Sequence, residues 1–468
     1  MQALLAEIRR HKLFFLLVAL AGLLLRLWFV FCLRLVDGDA LVYGNIALNW
    51  LNHGIFGITH DDGIHPTLIR LPGYPAFLVL IFSIAGQQHY GAALIVQALV
   101  DLGTCLFVAA LAIELMDERA ARPAFFLAAL CPFTANYTAA PLTETLAAFT
   151  TAAALYFGVR GWKALDARRS AIRSWLACGI WIGASTYLRP DNILPLAVFG
   201  VALLLRLSRE SRQRKAALVA GLTLACAALL PLVPWTARNW IVFHRFQPLA
   251  SRYAADPDEF ISPGFNRWVR TWSADFATVD EIYWKVPGST MDIDNLPQRA
   301  FDSRRQYDAT DELISDYNMD RYVDEDLDAR FAALAAERVA HSRFRYYVWL
   351  PALRIADMWL RPRIEMLPFD LRWWEYREHR GQTIAALALG ALNLFYLVAA
   401  LIGWRRWPSC CALILVSFVL LRSLILGSLE NPEPRYVLEC FPVVLALAAG
   451  ALVRKSGLTR GLEARPEP

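Results

Sequence analysis

The sequence predicts an all-α polytopic membrane protein of about ten transmembrane helices, with a mostly helical soluble region on one side of the bilayer. Three observations predict it. The 468-residue chain is 57% hydrophobic with only 19% charged residues, too apolar a composition for a soluble domain. Its apolar residues fall in runs near the twenty that cross about 30 Å of hydrocarbon. Its Lys and Arg are concentrated in alternate loops, as cytoplasmic loops require.

Taken in order, the apolar runs lie near 13–36, 91–116, 123–140, 142–160, 174–188, 191–207, 217–237, 382–403, 409–428 and 435–453. The first follows "MQALLAEIRRHK"; it is too long for a signal peptide and lacks a small-residue cleavage site, so it is expected to remain as a span. The fifth and sixth are interrupted by Arg189, Pro190 and Asp191. One set of loops ("EIRRHK", "DERAARP", "RGWKALDARRSAIR", "RLSRESRQRK", "WRRWP" and the tail "RKSGLTR") carries roughly twenty Lys and Arg, against about three in the opposite short loops. Both termini are therefore expected in the cytoplasm. The loop 37–90, tight turns near 136–143 and 188–191, a region at 238–381 and the turn 429–435 face outward.

The chain thus divides into an N-terminal transmembrane module (1–237) with its first outer loop (37–90), an extracytoplasmic region (238–381), and a three-span C-terminal segment with a cytoplasmic tail (382–468). Within the second part, "DEDLDARFAALAAERVAHSRFRYYVWLPALRIADMWL" has helical spacing, and its aromatic later half reads as an amphipathic helix in the membrane interface. Arg354 and Asp357, three apart, are expected to pair on its polar side. The net charge of +5 reports orientation and implies no nucleic acid. All eight cysteines fall in apolar runs without zinc-site spacing and read as small core residues.

The unusual polar residues collect at the outer ends of the spans: Asp37, Asp39, Arg70, Glu144, Arg189, Asp191, Arg238, Asn239, Glu430, Glu433 and Arg435. Outer ends are depleted of Arg, so four arginines there point to a lipid-borne phosphate, which guanidinium binds in bidentate fashion. Asp37 and Asp39 in "LVDGDALVYG" lie two apart; in an extended segment they face one target, a cation or an acceptor hydroxyl, with one carboxylate left ionised as a general base. His60, Asp61, Asp62 and His65 match no metal-ligand spacing and read as a solvated loop. Deeper in the bilayer, Arg26 and Asp101 are each roughly 15 Å from the outer surface by helical rise. An unpaired intramembrane charge is costly, so the two are expected to pair across the first two spans.

Six segments, "DGDALVYGNIALNWLNHGIF", "RLPGYPAFLVLIF", "PLTETLAAF", "YLRPDNILPL", "PWTARNWIVFHRFQP" and "EPRYVLECFPVVLALAAG", occur in order at matching topological positions. Together the chain resembles the bacterial relatives of protein O-mannosyltransferases and of the lipid A aminoarabinose transferase, which are GT-C glycosyltransferases using polyprenyl-phosphate sugars. The resemblance implies a GT-C-type fold, a catalytic role for the 1–237 module, and inverting sugar transfer to a hydroxyl or amine at the outer face of the bacterial cytoplasmic membrane. The acceptor is a lipid, a protein or a polysaccharide. It implies a base at Asp39, which precedes Tyr43 at the family spacing, or at Asp37, since this chain has Asp-Gly-Asp where the common form is Asp-Glu. It places Arg70 at the lipid phosphate and makes Glu144 a second site carboxylate. Arg189, Arg238 and Arg435 become phosphate or structural contacts, and Tyr43, Tyr74, Asn239 and Glu430 complete the site. No cofactor is expected; a divalent cation stays open because "DGD" has the form of a cation-binding DxD. The competing reading is a transporter, flippase or binding protein for lipid-linked sugars. Against it, the sequence shows no two similar halves and few polar residues at both depths of the bilayer. "GxxxxGK[ST]" is absent, so no nucleotide is implied.

Overall fold

Apolar sequence makes apolar helix wherever a run exceeds about eighteen residues without a breaker. The computed structural model describes residues 1–209, 213–251, 253, 255–257, 259–374 and 379–454. The expected basic tail beyond Arg454, and part of the basic loop after Arg209, lie outside the described residues. Six described helices are long and apolar enough to cross a membrane: Lys12–Cys32, Tyr90–Leu115, Pro190–Arg209, Arg380–Arg406, Cys410–Gly427 and Pro434–Leu452. A seventh forms if Arg214–Leu229 and Leu232–Phe243, bent by 42° at Pro231, count as one span. The protein is a multi-pass membrane protein.

Three of the ten expected runs take other forms. Pro132 breaks the 123–140 run into Ala121–Ala129, a single turn Pro132–Ala135 and a 3₁₀ turn Asn136–Ala139. The 142–160 run lies within Glu144–Asp166, an Ala- and Thr-rich helix with charged ends, and the 174–188 run is the 15-residue helix Ile172–Thr186. The first outer loop is also more structured than a loop. It contains the helix Asp39–His53, an antiparallel hairpin of Gly57–His60 with Gly63–Pro66, and a short apolar helix Gly73–Ala85.

The expected intramembrane pair forms. Arg26 donates to Asp101 Oδ2 through Nε at 2.9 Å and Nη2 at 2.6 Å, and through Nη1 to the Gly22 and Ala129 carbonyls. The Arg354–Asp357 pair does not. Arg354 is buried and reaches away to the carbonyls of Ser273 and Arg270, while Asp357 accepts the Phe276 amide and lies 3.6 Å from Arg361, one turn on. Burial decides the difference: a buried guanidinium takes whichever oxygens saturate its fork, and here those are backbone.

The polar region between the seventh and eighth expected spans builds a core of its own from Phe265, Trp268, Trp272, Tyr317 and Phe331. Asp328 accepts the Gly264 and Phe265 amides and so caps the helix Pro263–Arg270. The predicted long helix divides into Glu325–His341 and Leu350–Leu360 around a wider turn, where Phe344, Tyr347 and Trp349 are more than half exposed (67, 65 and 53%). Aromatic exposure of this kind suits a bilayer interface. Asp256 ties the region to the first loop by accepting from the Thr67 hydroxyl at 2.7 Å and the Leu68 amide at 2.6 Å.

Small residues let two late spans touch. A Cβ built on Gly403 would lie 1.8 Å from the Leu447 carbonyl oxygen, so Arg380–Arg406 and Pro434–Leu452 approach backbone to backbone. Gly403→Ala is expected to destabilise the protein by about 1–3 kcal/mol through this overpacking. Gly221, which has nothing within 4 Å of its Cβ position, is the control. Thermal unfolding in detergent should show a lowered midpoint for the first substitution and none for the second.

Candidate functional site

Between the first span and the next helix the chain turns at Gly38, whose φ of +53° lies in the region glycine favours. That turn ends the extended geometry assumed for "DGD", so the two carboxylates part. Asp37 is exposed and accepts from its neighbour's amide, Gly38 N, at 2.7 Å. Asp39 opens the helix Asp39–His53 and faces a group of arginines. Its Oδ1 lies 2.5 Å from Arg70 Nη2, and its Oδ2 lies 3.3 Å from Arg435 Nη2.

Arg70 is set in place by the turn that follows it. Pro72 starts the helix Gly73–Ala85, and the Gly73 amide donates to the Tyr187 carbonyl at 2.9 Å. A Cβ at Gly73 would come within 2.6 Å of that oxygen, so only glycine lets the Arg70 segment press against the turn carrying Arg189. The Arg70 guanidinium also sits 5.7 Å from the centre of the Tyr43 ring. Tyr43 packs edge to face on Tyr74, whose hydroxyl donates to Gln97 Oε1 at 2.5 Å. Tyr74 thus supports the site from beneath.

A second set of charges continues the first. Glu144, at the start of Glu144–Asp166, lies 3.1 Å from Arg189 Nη1 and 3.8 Å from Arg435 Nε through the same oxygen. Arg435 is ion-paired with Glu433, and Asn431 donates to the same carboxylate at 2.8 Å. Arg189 lies 3.4 Å from both Asp191 and Glu439. Arg422 closes the network from Cys410–Gly427, at 2.6 Å from Asp191, 2.9 Å from Glu439 and 2.8 Å from Asn192 Oδ1. Arginines and carboxylates therefore alternate from Arg70 through Asp39, Arg435, Glu144 and Arg189 to Arg422.

For Asp39, burial is the largest single influence and raises its pKa, but Arg70 and Arg435 together outweigh it and hold the carboxyl below its ordinary value. Arg70 is correspondingly held more firmly protonated by Asp39, against the cost of its own burial. Tyr43 is pushed up to about 12, chiefly by burial, so its hydroxyl stays neutral.

These groups line a cavity of about 1390 Å³. Asp37, Asp39, Tyr43, Arg70, Glu144, Arg189, Glu430 and Arg435 all contribute to its wall. Glu430 is 5% exposed, and its carbonyl accepts from the Ser273 hydroxyl at 2.6 Å. Three expected residues do not line the cavity: Tyr74, which packs beneath Tyr43, and Arg238 and Asn239. Arg238 donates to the Thr67 and Phe56 carbonyls and lies against the rings of Phe56, Trp235 and Phe243, in a separate cleft of about 620 Å³. Asn239 donates to the Gln247 carbonyl at 2.7 Å. The contacts of Arg238 fasten the first loop to the helix Leu232–Phe243, so of the phosphate and structural roles expected of it the geometry shows the structural one.

Sequence reasoning missed Tyr137, Glu365, Arg422 and Glu439. Arg422 and Glu439 had a signal, since each is a lone charge in an apolar run, the criterion that found Arg26 and Asp101. Glu365, whose Oε1 accepts the Tyr137 hydroxyl at 2.9 Å, lies in a short irregular segment between prolines and gave none. The His60 and His65 rings meet edge to face with centroids 5.4 Å apart, and His65 Nε2 lies 2.9 Å from Asp62. Among the described residues no group of three or more His, Cys, Asp or Glu is disposed to hold a metal ion.

Residues 65–235 match the family model of dolichyl-phosphate-mannose-protein mannosyltransferase, a stretch that includes Arg70, Glu144 and Arg189. No curated protein matches the chain by sequence. Among solved structures, the chain is similar to the Archaeoglobus fulgidus oligosaccharyltransferase AglB in complex with an inhibitory peptide and a dolichol-phosphate. The identity is 16% and the TM-score 0.49, over 98% of this chain and 53% of that one. A second structure of the A. fulgidus enzyme, with zinc and sulfate, aligns at 15% identity and a TM-score of 0.47, over 92% and 48%. ArnT from Cupriavidus metallidurans bound to undecaprenyl phosphate aligns at 15% identity and a TM-score of 0.41, over 94% and 77%. The chain spans about half the length of the archaeal enzymes it resembles.

Proposed function

We propose that the chain is a membrane glycosyltransferase of the GT-C type. It transfers a sugar, with inversion, from a polyprenyl-phosphate donor to a hydroxyl or amine of its acceptor. The observation that carries this reading is the Asp39 carboxylate, held between Arg70 and Arg435 on the wall of a large cavity beside the ends of membrane helices. The family match over 65–235 supports the donor class.

The chemistry follows from the geometry. The donor's phosphate seats on Arg70 and Arg435, with Arg189 and Glu144 fixing the orientation of Arg435. The acceptor's O–H or N–H proton passes to Asp39 as its heteroatom attacks the anomeric carbon. The bond from that carbon to the phosphate oxygen breaks, and its electron pair stays on the polyprenyl phosphate. Preorganised arginines aimed at that oxygen stabilise the developing charge. They also supply the positive charge that a divalent cation otherwise would, so transfer is expected to survive EDTA. By the distribution of basic loops, both termini are cytoplasmic and the cavity faces the outside of a bacterial cytoplasmic membrane. On this reading the 1–237 module holds the reacting groups, the 238–381 region covers them and contacts the acceptor, and the 382–468 segment supplies Arg435.

The same arginines make donor binding a trigger. Without donor they hold Asp39 below the ordinary carboxylate range, which makes it a weak base. A phosphate draws them away, and the Asp39 pKa rises toward a useful value. The acid limb of kcat/KM, which reports free enzyme, is therefore expected below the ordinary carboxylate pKa, while the limb of kcat, which reports the donor complex, lies higher. Arg70→Gln should raise the kcat/KM limb, because a carboxylate stripped of one cation stays protonated to higher pH. Coincident limbs in wild type, or a limb unmoved in the variant, contradict the trigger.

A further inference from the structure

We infer that the half of the cavity built by the polar region takes a saccharide acceptor that is uncharged or bears an amine, and turns away acceptors carrying phosphate or carboxylate groups. The inference rests on the transferase reading and extends it to the chemistry of the acceptor.

Charge around the cavity is unbalanced and segregated. Among the described lining residues there are nine carboxylates (Asp37, Asp39, Glu144, Asp191, Glu259, Asp280, Glu365, Glu430 and Glu433) against three arginines. Arg70 comes from the first outer loop and Arg189 and Arg435 from the ends of membrane helices, each already ion-paired. The polar region contributes Glu259, Asp280 and Glu365 to the lining and, among the described residues, no arginine. Asp280 makes no hydrogen bond or ion pair with a described residue, and burial pushes its carboxyl above the ordinary value against the weaker opposing pull of Lys285 and Arg361. Glu365 gives one oxygen to Tyr137, while its Oε2 is buried with no partner. Asn266, 7% exposed, accepts the Tyr283 hydroxyl on Oδ1 at 3.0 Å, and its amide nitrogen has no acceptor among the described residues. Buried polar atoms are rarely left unpaired, so Glu365 Oε2 calls for a donor from a ligand, while the half-buried Asp280 and the Asn266 amide offer it a further acceptor and a donor.

The same region supplies flat apolar surface. Trp284 is 42% exposed and Tyr322 50% exposed, both lining the cavity. An aromatic face beside unpaired carboxylates matches a pyranose, whose C–H face stacks on the ring and whose hydroxyls donate to the acids. An ammonium substituent gains further from the carboxylates and from the ring face. A phosphate or carboxylate on the acceptor meets like charge, which costs affinity and slows encounter.

The test is calorimetric binding to the full-length protein in detergent, using tetrasaccharides of glucosamine, N-acetylglucosamine and galacturonate, with tetralysine as the peptide control. Wild type is compared with Asp280→Asn, and with Glu365→Gln in case the first fails to fold. The expected result is binding of both amino-sugar oligomers. The glucosamine oligomer should weaken about tenfold in the variants, as loss of one charged hydrogen bond implies. Galacturonate should show no binding that responds to either substitution. Adsorption elsewhere on the protein is common to wild type and variants and cancels in their comparison. Galacturonate binding as tightly as glucosamine, or amino-sugar binding indifferent to both substitutions, overturns the inference. Tetralysine binding that responds to Asp280 while neither amino sugar binds assigns these acids to a basic peptide and overturns it as well. Undecaprenyl phosphate binding is measured alongside. Its loss in wild type counts against the transferase reading itself, whereas its retention with the wrong saccharide order sinks only the acceptor assignment.

Discussion

Asp39→Asn should lower kcat for sugar transfer by about 10²- to 10⁴-fold, the usual worth of a general base, while leaving the protein folded. Asparagine preserves the shape of the side chain at the start of the helix Asp39–His53 but cannot take the acceptor's proton. It also frees Arg70 from its counter-charge and takes one of three from Arg435, so binding of polyprenyl phosphate should be retained or tightened. Asp37→Asn is the discriminating comparison. Asp37 is exposed and bonded to the neighbouring amide rather than to an arginine, so its loss should change kcat by less than about tenfold. Steady-state kinetics on the two purified variants separates the carboxylates that the sequence left as alternatives. Equal losses would return both to the reaction.

The second large effect is on stability. All five N–H groups of Arg26 are used: three toward the Gly22 and Ala129 carbonyls and the Cys105 sulfur, and two toward Asp101. Both side chains of the pair are at most 2% exposed. Asp101→Asn leaves a buried guanidinium without its counter-charge, and Arg26→Met leaves a buried carboxylate alone. Each is expected to cost about 3–5 kcal/mol, whereas replacing both by apolar residues should recover much of the loss. A double-mutant cycle on unfolding in detergent checks this. Losses that simply add would mean that the two charges do not act on each other.

What the sequence disclosed follows a physical rule. Hydrophobic runs and basic loops are long-range averages over many residues, so the helical membrane architecture survived errors in individual segments. The Arg26–Asp101 pair was legible because the bilayer makes a lone charge expensive at a depth that helical rise fixes. The arginine-rich end of the cavity was legible for a related reason, as Arg70, Arg189 and Arg435 stand where arginines are scarce. What escaped depended on single dihedral angles or on distant contacts. Gly38 turned Asp37 away from Asp39, and no pattern of alternation foretells a positive φ at one glycine. Arg354 chose backbone oxygens more than eighty positions away over the aspartate one turn on, because its burial was set by tertiary packing. By its location Arg238 reads as either a phosphate or a structural contact, and only tertiary packing, through three aromatic rings and two carbonyls, shows the second.

The central claim is that the clasped carboxylate performs chemistry on a lipid-linked sugar rather than merely holding or moving it. The most direct measurement is single-turnover reaction of the full-length protein with a polyprenyl-phosphate sugar labelled with ¹³C at the anomeric carbon, in the presence of a saccharide acceptor. The account predicts one polyprenyl phosphate released per sugar transferred, an inverted anomeric signal in the product, and loss of both in Asp39→Asn. Donor that binds in an Arg70-dependent way but is recovered intact, or carried across a bilayer unchanged, would contradict it.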